Sequence, residues 1–295
     1  MKEKYKENQK KTYGNNNEKN GRPDKGASFK KKSYKSFSQK SENKPLKKSA
    51  NKAASGTEKN EDIEKLSRGL SELSCPELDF TKDDKLIPKI KSYIKEIILF
   101  NSAYNLTNTS DFNEIVVNHI LDSLSAASSI KKLTKELEES LGIGSDEKAS
   151  DNKIQIADIG SGGGLPGIPL ALTLPEFNFT LVERMDKRCA FLENQAAILG
   201  LKNTKVLKSE AEKVPAESFD LVTFRAFRPL DKDMITTLLN LTKKGGIIAA
   251  YKAKEKSITQ EMEGIKDIVP DYHVIPLTVP FLDEHERNLV VIRKK

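Results

Sequence analysis

The chain has two cysteines, Cys75 and Cys189, no tryptophan and only three histidines in 295 residues. Two thiols so far apart in sequence exclude a disulfide framework and a thiolate metal site, and a reducing, cytoplasmic setting is expected. Long apolar runs are missing as well. The longest, such as Ile247–Tyr251, are strand-sized and far short of the roughly 18 residues that a membrane span needs. The charged start is not followed by the apolar stretch of a signal peptide. Neither a membrane nor a bound metal is expected.

Charge is plentiful, at 32% of residues, but unevenly spread. Residues 1–60 carry 18 Lys and Arg against 6 Asp and Glu, a net of +12, and the remainder carries 32 against 37, a net of −5. A basic tail therefore precedes a mildly acidic body. From Met1 to about Ser74 the composition is rich in Lys, Asn, Ser, Gly and Gln. It offers too little apolar surface to offset the entropy of ordering, so residues 1–75 are expected to be a disordered tail. Within it Phe29, Tyr34 and Phe37 alternate with Lys30, Lys31, Lys32, Lys35 and Lys40, a pattern that suits phosphates and stacked bases and equally suits a solubilising tail.

Residues 76–150 read as a helical segment with a linker loop. Ile87, Ile90, Ile94, Ile97 and Ile98 fall at helical spacing through Leu99. Asp111 and Glu114 form a capping-box pattern ahead of Ile115, Val116, Ile120 and Leu121. The polar stretch 144–152 is expected to be an exposed loop. From residue 151 to 295 strand and helix patterns alternate, which predicts an α/β fold with a mostly parallel sheet. Seven strands are expected: Ile154–Ile159, Phe177–Glu183, Thr204–Leu207, Asp220–Phe224, Gly246–Tyr251, His273–Thr278 and Leu289–Arg293. The last two are separated by a loop, so the sheet is expected to end in an antiparallel pair.

The sharpest motif is IADIGSGGGLPG, residues 156–167, where a strand runs into a glycine-rich turn and then a helix. Glycines let such a turn bend and let a ligand approach the backbone. Glu183, 23 residues beyond Gly160, closes the next strand, where a carboxylate can accept from both hydroxyls of an adenosine ribose. Asp158 stands just before the loop. It would repel a pyrophosphate but suits a sulfonium and an amino group, which favours S-adenosylmethionine over a nicotinamide dinucleotide. A turn-capping role for Asp158, and an ordinary strand end for Glu183, are the bland alternatives.

These blocks resemble the bacterial 16S ribosomal RNA guanine-N7 methyltransferases, the glucose-inhibited division protein B family. The resemblance spans about residues 86–295 and rests on AYNLT (103–107), NEIVVNHILDS (113–123), DIGSGGGLPGIPLA (158–171), FTLVERMDKRCAFL (179–192), RAF (225–227) and RNLVVI (287–292). It implies a Rossmann-like class I methyltransferase domain behind a small helical cap, using S-adenosylmethionine on 16S ribosomal RNA or the small ribosomal subunit; separately, a monomer is expected. It also implies cofactor contacts at Gly160, Leu165, Ala211, Glu212 and Arg225, to which the motif reading adds Asp158, Gly162 and Glu183. Two positions depart from the pattern: Ala253 stands where glycine is expected and Asn288 where histidine is expected.

Guanine N7 carries a lone pair and no proton, so it needs no general base, and positioning of nucleophile and donor in line is expected to carry the reaction. No catalytic acid or base is assigned, and Arg225 is the one candidate for a direct part. His119, Asp122 and Ser123 share a helix face and either line a substrate mouth or satisfy one another. Asn105 and Thr107, in the turn before that helix, share the ambiguity. Arg184, Lys187 and Arg188 are candidates for RNA phosphates or for a solvated helix start, and Lys252 is a further candidate for RNA. Cys189 is expected in the core. Two rival readings remain: a nicotinamide-dependent oxidoreductase on a similar sheet, and a non-catalytic RNA-binding or ribosome-assembly protein.

Overall fold

The computed structural model describes residues 58–142 and 153–295. The aromatic and lysine cluster at 29–40 and the loop at 144–152 lie outside them. Helices α1 (Glu58–Leu73), α2 (Leu86–Tyr104), α3 (Phe112–Ile115), a π-helical turn (Val116–Leu121), α4 (Asp122–Leu124) and α5 (Ala127–Leu141) come first. There follow β1 (Gln155–Ile159), α6 (Gly167–Thr173), β2 (Asn178–Glu183), α7 (Asp186–Leu199), β3 (Thr204–Lys208), a 3-10 turn (Ala211–Lys213) and β4 (Phe219–Arg225). The chain ends with α8 (Lys232–Leu241), β5 (Thr242–Lys252), α9 (Glu255–Gly264), β6 (His273–Leu277) and β7 (Arg287–Arg293). Among the described residues no helix is long and apolar enough to cross a membrane.

Helix α1 corrects the expected extent of the tail, because Glu58–Leu73, inside the stretch expected to be disordered, is helical. Ile63, Leu66, Leu70 and Leu73 recur at helical spacing, a stripe that the polar average of the region concealed. Leu66 and Leu70 are fully buried in the core.

The seven strands run in the order β3-β2-β1-β4-β5-β7-β6. The β1–β2, β1–β4, β2–β3 and β4–β5 pairs are parallel, and β7 runs antiparallel to both neighbours. This is the expected mostly parallel, Rossmann-like sheet of the class I methyltransferase fold. After β3 the chain returns past β1 to lay down β4. The strand order therefore reverses at β1, and a crevice opens at the carboxyl ends of β1 and β4, where open α/β sheets bind ligands.

Side chains alternate across the sheet and build two core layers. On β5, Ile247, Ala249 and Tyr251 pack with helices α1, α2 and α5, while Ile248 and Ala250 pack with α8 and α9. The helical segment thus shares one continuous core with the sheet instead of forming a core of its own. Each fully buried Ile or Leu here contributes about 1.5–3 kcal/mol of apolar burial. The stripe on α2 runs through Leu86, Ile90, Tyr93, Ile94 and Ile97. Leu99, the expected end of that pattern, is instead 67% exposed.

Candidate functional site

The glycine loop turns sharply because Gly160 and Ser161 both donate to the Val182 carbonyl, at 2.9 and 3.1 Å. Gly160 takes φ +69°, and a Cβ there would lie 2.0 Å from the Phe227 ring, so only glycine fits. Tyr93, fully buried on α2, donates to the Gly163 carbonyl at 2.5 Å and holds the far side of the loop.

Beside the loop lies a cavity of about 660 Å³. Gly160, Glu183, Ala211, Glu212, Arg184 and Arg188 line it, so four of the expected cofactor positions and two of the expected RNA positions meet in one hollow. Ala226, Phe227 and Arg228, which sequence reasoning passed over, form another wall. The RAF block ending at Phe227 was the available signal for them. Arg228 sits 4.9 Å over the Phe227 ring and donates to Glu212 at 2.6 Å. Hydrogen bonds from its own backbone N–H and from Arg228 hold the Glu212 carboxyl below the usual range.

Glu183 is 5% exposed at the wall of the hollow. Its Oε2 accepts from the Gly162 backbone at 3.0 Å, and its Oε1 accepts from the backbones of Arg184 and Met185 at 2.8 and 2.9 Å. The carboxylate therefore shapes the loop as well as facing the cavity, and a ribose diol would share oxygens that already hold three main-chain donors. The spare lone pair on Oε2 leaves room for such a contact.

Asp158 lies behind the loop, 1% exposed. Its Oδ2 accepts from Ser161 Oγ at 2.6 Å and from the Gly167 backbone at 3.0 Å, while its buried Oδ1 has no partner. Burial pushes its carboxyl up to about 6, against hydrogen bonds from Ser161 and Gly167 that pull it down. A buried acceptor without a donor is uncommon, and this one has the chemistry for a cationic amino group.

Other expected positions lie elsewhere. Leu165 is buried in the core cluster under the sheet rather than on the cavity wall. Arg225 leaves the end of β4 and turns onto the helical segment, where it donates to the Asn118 carbonyl and to Asp122 and meets His119. Burial and Arg225 together lower the His119 imidazole to about 4. Asn105, the exposed left-handed cap of α2, accepts through its carbonyl from Arg188 Nη2 at 2.8 Å, so Arg188 joins the cavity wall to the turn after α2. Asn101 holds that turn through the backbone N–H groups of Leu106 and Thr107, both at 2.9 Å. Thr107 is buried and donates to Thr109 O. Lys187 is exposed. Lys252 pairs with Glu261 and lies over the Phe224 ring.

The half of the expected capping box that forms is Asp111 accepting from the Glu114 backbone at 2.9 Å; the Asp111 N–H goes to Thr109 instead. The two positions that depart from the family pattern touch each other, with Asn288 donating to the Ala253 carbonyl at 2.6 Å.

Residues 86–290 match the family model GidB, described as rRNA small subunit methyltransferase G. The chain belongs to this family. Among curated members, the ribosomal RNA small subunit methyltransferase G of Treponema denticola is 42% identical over 241 residues, covering 78% of this chain and 93% of the relative. The protein of that name from Klebsiella pneumoniae is 36% identical, covering 79% of this chain and 99% of its own length. That of Borrelia garinii is 34% identical, covering 75% and 97%. The GidB match spans the glycine loop, Glu183, the Ala211 turn and Arg225. It begins after α1 and so leaves the basic tail outside.

Proposed function

We propose that this chain transfers a methyl group from S-adenosylmethionine to N7 of a guanine in 16S ribosomal RNA. The observation that carries the reading is the hollow in which Gly160, Glu183, Ala211 and Glu212 meet, with Asp158 Oδ1 a buried acceptor without a donor two residues before Gly160. An ammonium or sulfonium nearby would favour the charged carboxylate, whereas a pyrophosphate would be repelled. Membership of a methyltransferase family points the same way, against both the oxidoreductase and the non-catalytic alternatives.

In this reading Asp158 receives the donor's amino group, and Gly160 and Gly162 let the donor approach the backbone. Glu183 holds the ribose, while Ala211 and Glu212 meet the adenine edge. When bound, the donor supplies an activated methyl group on a sulfonium. Leu165 and Arg225 remain family-matched contacts; Arg225 reaches a ligand from its anchored position, and Leu165 packs beneath the loop. Arg184, Lys187 and Arg188 take RNA phosphates at the mouth of the hollow, with Asn105, His119 and Lys252 as further RNA positions. The chain's own part is orientation and exclusion of water, since N7 has no proton to remove. We assign the protein to the cytoplasm as a monomer. The tail, at +12 against an acidic body, supplies long-range attraction to RNA.

The test is incubation of the full chain with methyl-labelled S-adenosylmethionine and small-subunit RNA, free and as assembled subunits, followed by mapping of N7-methylguanine. Label at one guanine is the expected result. No transfer by folded, cofactor-binding protein overturns the reading.

A further inference from the structure

In a regular α-helix the Asp122 N–H would donate to the Asn118 carbonyl four residues back. Here the turn Val116–Leu121 is π-helical, and the Asp122 N–H reaches the carbonyls of Val117 and His119 instead. The Asn118 carbonyl is thereby released, and Arg225 Nη1 takes it at 2.9 Å. The same nitrogen donates to Asp122 Oδ2 at 2.5 Å, and Nη2 meets His119 Nδ1 at 3.1 Å.

A guanidinium only donates, so His119 Nδ1 is the acceptor and the imidazole proton sits on Nε2, which donates to Asn108 Oδ1 at 3.2 Å. Three points on one widened turn and its C-terminal cap converge on a single side chain 103 to 107 residues away in sequence. π-bulges of this kind occur often at functional sites.

Holding the helices on the sheet does not require this arrangement. Ile115, Val116, Ile120, Leu121 and Leu124 are already fully buried there, and a buried ion pair adds little stability over an apolar pair of similar volume. Its distinctive effect is on Arg225 itself. Three of the five guanidinium N–H groups are held, and among the described residues the remaining two, on Nε and Nη2, have no protein acceptor. The side chain keeps 14% exposure. Asp122 is braced in turn, because its Oδ1 accepts from Arg287 Nε of β7 at 2.8 Å. Tyr251 of β5 ties the next residue by donating to the Ser123 carbonyl at 2.7 Å.

We infer that Asp122 is a positioning residue for methyl transfer: with the Asn118 carbonyl and His119 it fixes the guanidinium of Arg225 so that its two free N–H groups meet the bound donor or base. The inference rests on the function proposed above. Arg225 would be the contact, and Asp122 would act through it.

A double-mutant cycle tests the inference. Asp122→Ala should lower kcat at least tenfold while the KM for RNA changes less than about threefold. Combined with Arg225→Ala it should cost no more than Arg225→Ala alone, since residues acting as one unit are non-additive. If Asp122→Ala does not fold, Asp122→Asn with Arg225→Lys reads the same coupling.

A second measurement needs no activity. The Arg225 guanidinium should give resolved, slowly exchanging side-chain N–H signals by NMR in the wild type. These should collapse in Asp122→Asn, with the melting temperature recorded alongside. Additive losses in the cycle, or an Arg225 signal equally ordered in the variant, overturn the inference. A wild type that transfers no methyl group overturns the proposed function instead, and the NMR result still stands on its own.

Discussion

Two regions meet at the loop edge of this sheet and satisfy their polar groups in opposite ways. Around the glycine loop, main-chain N–H groups pair with the carboxylates of Glu183 and Asp158, and Asp158 keeps a buried oxygen with no donor. On the helical side of the same edge, Asp122 has an arginine on each oxygen. An incomplete region is one that a ligand can complete, and a complete one is a frame. The comparison teaches that buried carboxylates in this fold are of two kinds, one with an oxygen left open and one fully paired with cationic side chains.

The largest effect that would sharpen this contrast is at the loop. Gly160→Val should lower affinity for S-adenosylmethionine about 100-fold or more by calorimetry, because its side chain enters the hollow against Phe227, with a smaller effect on melting. Gly164→Val should do the reverse to the fold. Its Cβ would lie 2.4 Å from the buried Ile168 side chain, at φ +90°, so melting should fall by at least several degrees. Equal melting for the two variants would break the distinction between binding wall and packed loop.

Next in size is Asp158→Asn. The native carboxyl ionises at about 6, above its ordinary 3.8. The folded state therefore holds this proton more tightly than the unfolded one, and stability is lost as pH rises from about 4 through 6. Removing the charge should raise melting at pH 8 and leave it nearly unchanged below pH 4, while weakening cofactor binding about tenfold or more. Wild-type cofactor affinity should itself decline as pH falls through 6. A variant that binds the cofactor normally at pH 8 would remove Asp158 from the site.

His119 carries the opposite sign. Its imidazole ionises at about 4 against an ordinary 6.5, so the unfolded state binds the proton first and stability is lost as pH falls from 6.5 towards 4. His119→Gln keeps an acceptor for Arg225 and should flatten that part of the stability profile, read by urea denaturation at several pH values. An unchanged slope would show that His119 does not stay neutral in the folded protein.

The smallest expected change lies away from both regions. Gln195 on α7 is fully buried, and neither side-chain amide atom has a partner. Gln195→Leu should therefore raise stability by roughly 1 kcal/mol. A loss of stability would mean that the amide has a partner in solution.

Much of this was legible in the chain. Ile247, Ile248, Ala249, Ala250 and Tyr251 read as a buried strand because a run of apolar residues with β-forming neighbours has few other uses, and they do alternate between two core layers. The glycine spacing and Glu183 pointed to residues that line the hollow, since a turn at positive φ needs residues without Cβ and strand ends are set by local pattern. Less legible was α1, whose stripe of Ile63, Leu66, Leu70 and Leu73 is diluted by charged neighbours. Its value appears only when Leu66 and Leu70 meet the rest of the core.

By itself the sequence determined the strand and helix alternation, the glycine turn and the acid beside it, all of which depend on residues within a few positions of one another. Tertiary structure alone decided that Arg225 turns to Asp122 rather than lining the hollow, that Arg287 braces the same carboxylate from 165 residues away, and that Asn288 answers Ala253 across a pair of strands. Periodicity reports which face of an element is apolar. Which charge a buried guanidinium finds depends on the packing of whole elements, and no local spacing encodes that choice.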